Sequence, residues 1–249
     1  MKIGFGIICF VLVCFLNACE TNKSAPKRLA INPQSPKEEK IKELNKPIFC
    51  LSVIIPNFPK LERRAIGTGF LVWENLIATA FHVNKDLDSI ISSNSIPNKK
   101  IIAWKKFEDG EILEIPLKLI ASDQNSDLAL FSFDTENIQP QFQKRDIKPF
   151  QLADRLPDLG EDILSVGYYN LMEFPFNSLG NVSTIEKDED IYSDVTLMPG
   201  NSGSPLVSMK TGEVLGVNIK VMTMGDGTIR LGIAKRISKL SELMGKVNP

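Results

Sequence analysis

The sequence predicts an all-β protein: two packed six-stranded antiparallel β-barrels with a C-terminal helix. Three observations carry that expectation. From Pro47 onward the apolar runs are short and bounded by Gly, Pro, Asn and Asp, residues that punctuate strands rather than helices. About six such runs lie on each side of a break near Pro140, the number that two small barrels require. Finally, Ile237, Leu240, Leu243 and Met244 recur at helical spacing after the last strand-like run.

In chain order, residues 1–18 form a leader. Met1-Lys2 precedes an apolar run over 3–16, and Leu16-Asn17-Ala18-Cys19 supplies the small residue before a cleavage point. The run is too short to span a bilayer, which needs about 20 apolar residues. Residues 19–46 are rich in Lys, Glu, Pro, Asn and Ser and read as a flexible tether, with helix allowed over 37–44. The folded domain is expected over 47–245. Barrel one, about 47–138, has strands at 48–55, 64–73, 76–79, 101–106, 112–121 and 128–133. Barrel two, about 139–234, has strands at 151–153, 162–168, 180–185, 191–197, 205–209, 214–222 and 228–233. The closing helix takes about 235–245.

Composition narrows the function. The chain has 249 residues, 43% hydrophobic and 24% charged, enough to bury a sizeable core. A net charge of −1 provides no basic field for nucleic acid. Of the four cysteines, Cys9 and Cys14 lie in the leader, Cys19 lies at the cleavage point, and Cys50 sits in an apolar strand as a core residue. One histidine and one thiol at unrelated positions build no metal site, so no cofactor is expected. Nothing in the sequence sets an oligomeric state.

The chemistry is carried by that single histidine, His82, in Thr79-Ala80-Phe81-His82-Val83, and by Ser202 in Gly200-Asn201-Ser202-Gly203-Ser204-Pro205. A serine nucleophile needs a neighbouring base, and imidazole titrates near working pH. Chain order restricts the arrangement. No histidine follows Ser202, which excludes the order in which histidine comes last. The first aspartate, Asp86, follows His82, which excludes the order that begins with aspartate. Histidine, then aspartate, then serine remains.

Four blocks in that order, Gly67-Thr68-Gly69-Phe70-Leu71, Ala78-Thr79-Ala80-Phe81-His82, Ser126-Asp127-Leu128-Ala129-Leu130 and Pro199-Gly200-Asn201-Ser202-Gly203-Ser204-Pro205, resemble chymotrypsin-fold (trypsin-like) serine peptidases. The likeness is greatest to the bacterial HtrA/Deg protease domain, and no PDZ domain is expected after it. It implies an endopeptidase acting on protein or peptide through an acyl-enzyme: Ser202 attacks, His82 relays the proton and Asp127 orients the imidazole, with Asp123 as the fallback carboxylate. The oxyanion hole would lie over Gly200, Asn201 and Ser202, with the N–H groups of Gly200 and Ser202 as donors. Asn201 stands where digestive relatives carry an aspartate that pairs with a new N-terminus, so maturation through that ion pair is not expected. Thr196 and Leu197 fall where the family builds the pocket base, and Ile219, Lys220 and Val221 where it pairs with substrate backbone. No acid lies at the base, so a small or medium apolar side chain is expected at the cleaved position.

The leader resembles a bacterial lipoprotein signal, with Cys19 as the lipidated residue that ties the domain to the membrane of the cell envelope. The competing expectation is a lipoprotein that keeps this fold without catalysis, as an adhesion, binding or chaperone module.

Overall fold

The chain enters its folded body through α1 (Pro36–Asn45), whose Glu38 and Glu39 in the first turn and Lys42 in the last suit the helix dipole. The computed structural model describes residues 35–55, 62–93, 99–169, 172–186, 190–224 and 229–247. Leader residues 1–18 and Cys19 lie outside them. The helix allowed over 37–44 is therefore realised inside the segment read as tether. Ile41 and Leu44 pack against the core, and Lys40 Nζ donates to Met209 O at 2.7 Å. Among the described residues no helix is long and apolar enough to cross a membrane.

Barrel one comprises β1 (Ile48–Ile55), β2 (Glu62–Trp73), β3 (Leu76–Ala80), α2 (Phe81–Ser92), β4 (Lys100–Lys106), β5 (Ile112–Pro116), β6 (Lys118–Asp123) and β7 (Leu128–Ser132). Its sheet runs β5-β4-β1-β2-β3-β7-β6, with every pair antiparallel. The sheet has seven strands because the segment 112–121 divides at Leu117. Pro116 has no N–H to give, and the N–H of Leu117 turns to Ile101 O at 3.0 Å. Since β5 and β6 are the two ends of the order, this one bent segment bridges them and curls the sheet towards closure. β1 is almost wholly buried, which explains its continuous apolar run and makes Cys50 a core residue that forms no disulfide among the described residues.

Barrel two follows α3 (Gln139–Arg145) and comprises β8 (Asp162–Gly167), β9 (Phe176–Ile185), β10 (Asp190–Ser193), β11 (Pro205–Ser208), β12 (Val214–Met224) and β13 (Ile229–Arg236), ending in α4 (Ile237–Gly245). These six strands close in the order β10-β13-β12-β11-β8-β9. The short strand expected over 151–153 shrinks to a bridge between Leu152 and Val214. Helix α4 buries Ile237, Leu240 and Leu243, the spacing read from sequence, against β12 and, in the first barrel, β6 and β7. One apolar cluster joins Ile48, Phe70 and Leu130 of the first barrel to Val166, Leu206 and Val217 of the second, so the barrels share a core.

Two buried charges brace this architecture. The Glu161 carboxylate accepts from Arg155 Nη1 at 2.9 Å and Nη2 at 2.6 Å, from Ser208 Oγ at 2.6 Å and from Asp158 N at 2.9 Å. The Arg155 guanidinium, then Ser208 and the Asp158 N–H, hold its pKa down at about 2 against the opposing effect of burial. Lys105 instead donates to Asn45 O at 2.7 Å and Ile48 O at 3.3 Å, and burial pushes its pKa down to about 7.

Candidate active site

His82 is the second residue of α2, and the start of that helix is unusual. The cap position, Ala80, has no side chain able to satisfy the first N–H groups. Asp127 does so from across the turn before β7. Its carbonyl accepts from Phe81 N at 3.0 Å, and its Oδ1 accepts from His82 N at 2.9 Å. The other oxygen, Oδ2, lies 2.9 Å from His82 Nδ1. One carboxylate thus caps the helix and fixes the orientation of the ring; because a carboxylate only accepts, Nδ1 is the nitrogen that carries the proton and Nε2 is left as the acceptor.

Asp127 reaches this geometry through a left-handed backbone, φ 54°, which aspartate tolerates better than most residues. The hydrogen bond that His82 donates to Asp127 raises the His82 pKa above its ordinary value. Burial opposes the rise, and the charges of Asp127 and Asp86 add to it. Asp123, the fallback, does not reach the ring. It accepts from Ser126 Oγ at 2.8 Å and Asn125 N at 3.0 Å and so shapes the turn that delivers Asp127.

The serine loop is held by residues of both barrels. Thr68, fully buried on β2, donates from N to Ser202 O at 2.9 Å and from Oγ1 to Gly200 O at 2.7 Å. Its Oγ1 accepts from Tyr168 N at 2.8 Å, and its carbonyl accepts from Thr79 Oγ1 at 2.7 Å. Sequence reasoning noted Thr68 only as part of a motif; a threonine flanked by two glycines was the available signal.

Gly203, at φ 82°, lies so tightly against β3 that a Cβ would sit 2.0 Å from Thr79 Oγ1 and 2.9 Å from Ala80 N. This contact sets Ser202 beside the strand end that leads into His82. No hydrogen bond joins the two side chains. The N–H of Asn201 donates to Met198 O at 2.9 Å, whereas those of Gly200 and Ser202 have no partner among the described residues. Asn201 is buried. Its Oδ1 accepts from Met198 N at 2.7 Å and its Nδ2 donates to Tyr168 O at 3.5 Å, closing the loop from within.

A cavity of about 300 Å³ opens beside Ser202, with Leu197, Met198, Pro199, Lys220, Val221 and Arg230 in its wall. Larger cavities, of about 700 and 590 Å³, lie along α1, away from His82 and Ser202. Of the residues expected to meet substrate, Leu197, Lys220 and Val221 line the cavity beside Ser202. Thr196 instead donates from N to Ser178 Oγ at 2.8 Å, and Ile219 is buried in the core. Arg230 was missed because it enters through the β12–β13 register, opposite Thr223. Among the described residues no group of three or more His, Cys, Asp or Glu is disposed to hold a metal ion.

A two-barrel β fold, with an aspartate-bound histidine after β3 and a glycine-flanked serine loop packed against that same strand, is the arrangement of the class of trypsin-like peptidases. The trypsin-like peptidase domain model matches residues 67–217, and the chain belongs to that family. Among curated relatives it is 28% identical over 181 residues to a probable periplasmic serine endoprotease, DegP-like, of Halomonas elongata, covering 70% of this chain and 33% of the relative. A DegP-like relative of the same description from Pseudomonas fluorescens is 26% identical over 256 residues, covering 94% of this chain and 48% of the relative. The chain therefore spans a third to a half of these relatives. The serine endoprotease structure from Yersinia pestis matches with a TM-score of 0.60 at 20% identity, over 87% of this chain and 68% of that one, a likeness of fold.

Proposed function

We propose that this chain is a serine endopeptidase of the HtrA type, working through His82, Asp127 and Ser202. The observation that carries the reading is the double grip of Asp127 on His82, through the backbone N–H and the ring, opposite a loop with two unpartnered N–H groups. With Nδ1 protonated against Asp127, Nε2 is left to take the proton of Ser202 as the hydroxyl attacks the substrate carbonyl. Charge developing on that oxygen meets the N–H groups of Gly200 and Ser202; losing one such donor typically costs about 3 kcal/mol in the transition state. His82 then returns the proton to the leaving amine, and water repeats the cycle on the acyl-enzyme. The bond between His82 and Ser202 forms as substrate binds, since such bonds are commonly long in the free enzyme. Leu197, Met198 and Pro199 favour a small or medium apolar side chain at the cleaved position.

The missing hydrogen bond between His82 and Ser202 favours one second reading, a binding module that retains the fold without catalysis. A fluorophosphonate probe separates the two. Labelling of the wild type that Ser202→Ala abolishes supports the peptidase, and no labelling supports the binder. We further propose that lipid on Cys19 anchors the domain in the cell envelope. Cys19→Ser would then move the protein from the membrane fraction to the soluble one, and unchanged fractionation would reject the anchor.

A further inference from the structure

Building on the peptidase reading, we propose that Lys220 and Arg230 make this a site for acidic peptides, binding a carboxylate on the second or third residue before the cleaved bond. The argument begins with a free strand edge. β11 pairs with β12 only over Val214–Val217, and Gly203 N then takes Asn218 O at 2.8 Å. Beyond that point β12 is paired with β13 on one side only. A peptide added antiparallel to the open edge, with its reacting carbonyl at Ser202, runs towards its own N-terminus as the β12 numbers rise. Lys220 lies two residues beyond Asn218, across a bulge that sets Asn218 opposite Ala234 and Lys220 opposite Ile233, so at most about 7 Å along the strand. It therefore falls beside the second or third residue upstream of the reacting carbonyl.

Among the described residues the charge at this place is uncompensated. Lys220 and Arg230 both line the cavity, and no Asp or Glu does so among the described residues. Neither cation has an ion-pair or hydrogen-bond partner among the described residues. Several other basic side chains, Lys46, Lys106, Arg145, Lys148 and Lys235, each meet a carboxylate. Two unmatched cations in one concavity focus a positive field exactly where upstream substrate side chains would lie. Apolar walls at Leu197, Met198 and Pro199 keep the cleaved position itself apolar, so the charge selects its neighbours.

The test compares two quenched peptides cleaved by the full chain. One carries Glu at the second and third positions before an apolar residue, and the other carries Gln. The Glu peptide should have a kcat/KM about tenfold higher at low ionic strength, and the two should converge in about 0.5 M salt. In Lys220→Gln/Arg230→Gln the ratio should fall to about one. Equal rates in the wild type, or a Glu preference that survives the double substitution, would overturn the proposal. Fluorophosphonate labelling of the same preparation reports separately on the peptidase reading. If Ser202 does not label, anisotropy with the same two peptides, fluorescently tagged, still decides this proposal through the ratio of their Kd values.

Discussion

Asp127→Asn is the most informative single change, because the geometry predicts what each atom of the new side chain will do. Asparagine tolerates the left-handed backbone at this position, φ 54° in the wild type, so the turn is kept. Its amide oxygen can still accept from His82 N, preserving the cap on α2. The amide NH₂ then replaces the oxygen now 2.9 Å from His82 Nδ1, and it can only donate. Nδ1 must become the acceptor, the ring proton moves to Nε2, and in the proposed mechanism the nitrogen that would take the proton of Ser202 is then already protonated. Wrong-tautomer substitutions of this kind cost about 10⁴-fold in Ser-His-Asp peptidases, or roughly 5 kcal/mol of transition-state stabilisation.

The same change removes the main cause of the raised His82 pKa. In the wild type the base is active when neutral, so the acid limb of kcat/KM should lie above the ordinary histidine value. In Asp127→Asn that limb should move to lower pH at a much reduced plateau. Because the chain contains one histidine, a tag-free sample gives one imidazole resonance, and its titration can be set directly against the kinetic limb. A variant that retained activity within tenfold of wild type, or a His82 titration unmoved by the substitution, would refute this account. A raised folded pKa also makes protonated His82 mildly stabilising below its unfolded pKa. That contribution is lost as pH climbs through the folded value, and it should be absent in the variant.

Two further predictions concern the scaffold. Gly203→Ala places a methyl group 2.0 Å from Thr79 Oγ1 and 2.4 Å from Thr68 O at φ 82°. The left-handed backbone costs about 1–2 kcal/mol and the overlap about 1–3 kcal/mol. The Ser202 loop must shift, lowering the urea midpoint and slowing fluorophosphonate labelling by about 10²-fold, and wild-type values for both would contradict the packing argument. Glu161, whose side chain is 5% exposed, has its pKa depressed to about 2, so its contribution is complete above its ordinary value and is lost as pH falls towards 2. The shift corresponds to roughly 3 kcal/mol. Urea unfolding from pH 6 down to pH 2 should therefore flatten by about that amount in Glu161→Gln, and parallel losses in the two proteins would argue against the clamp.

The strands were legible in the sequence where one face is buried or the whole strand is, as in β1, because apolar residues then have nowhere else to go. The helices between them were harder to read. α2 carries Val83 and Leu87 one turn apart, both buried, but the sequence reading assigns no element between the strands expected at 76–79 and 101–106. The break expected near Pro140 is instead the first turn of α3, where proline costs no hydrogen bond. The split at Leu117 was hidden for a different reason: an apolar run does not record a bend, and only pairing to β4 on one side and β7 on the other reveals it.

The site residues divide on the same physical ground. His82 and Ser202 stood out because their chemistry is rare and local, a lone imidazole and a serine among glycines. The orienting role of Asp127 is legible only through the family resemblance; its capping role, and the roles of Thr68 and Arg230, depend on where distant strands meet, and period or composition carries no mark of that. Asp127 illustrates the point most directly. In sequence it is one of several aspartates, and its left-handed backbone and its hold on the first turn of α2 arise only when β7 is laid beside β3. The capping role and the orienting role then belong to one carboxylate. Alanine at this position would remove a helix cap together with a partner of the base, and loss of activity alone would not tell the two apart. Asparagine, which keeps the cap and reverses the hydrogen bond to the ring, is the substitution that separates folding from catalysis here.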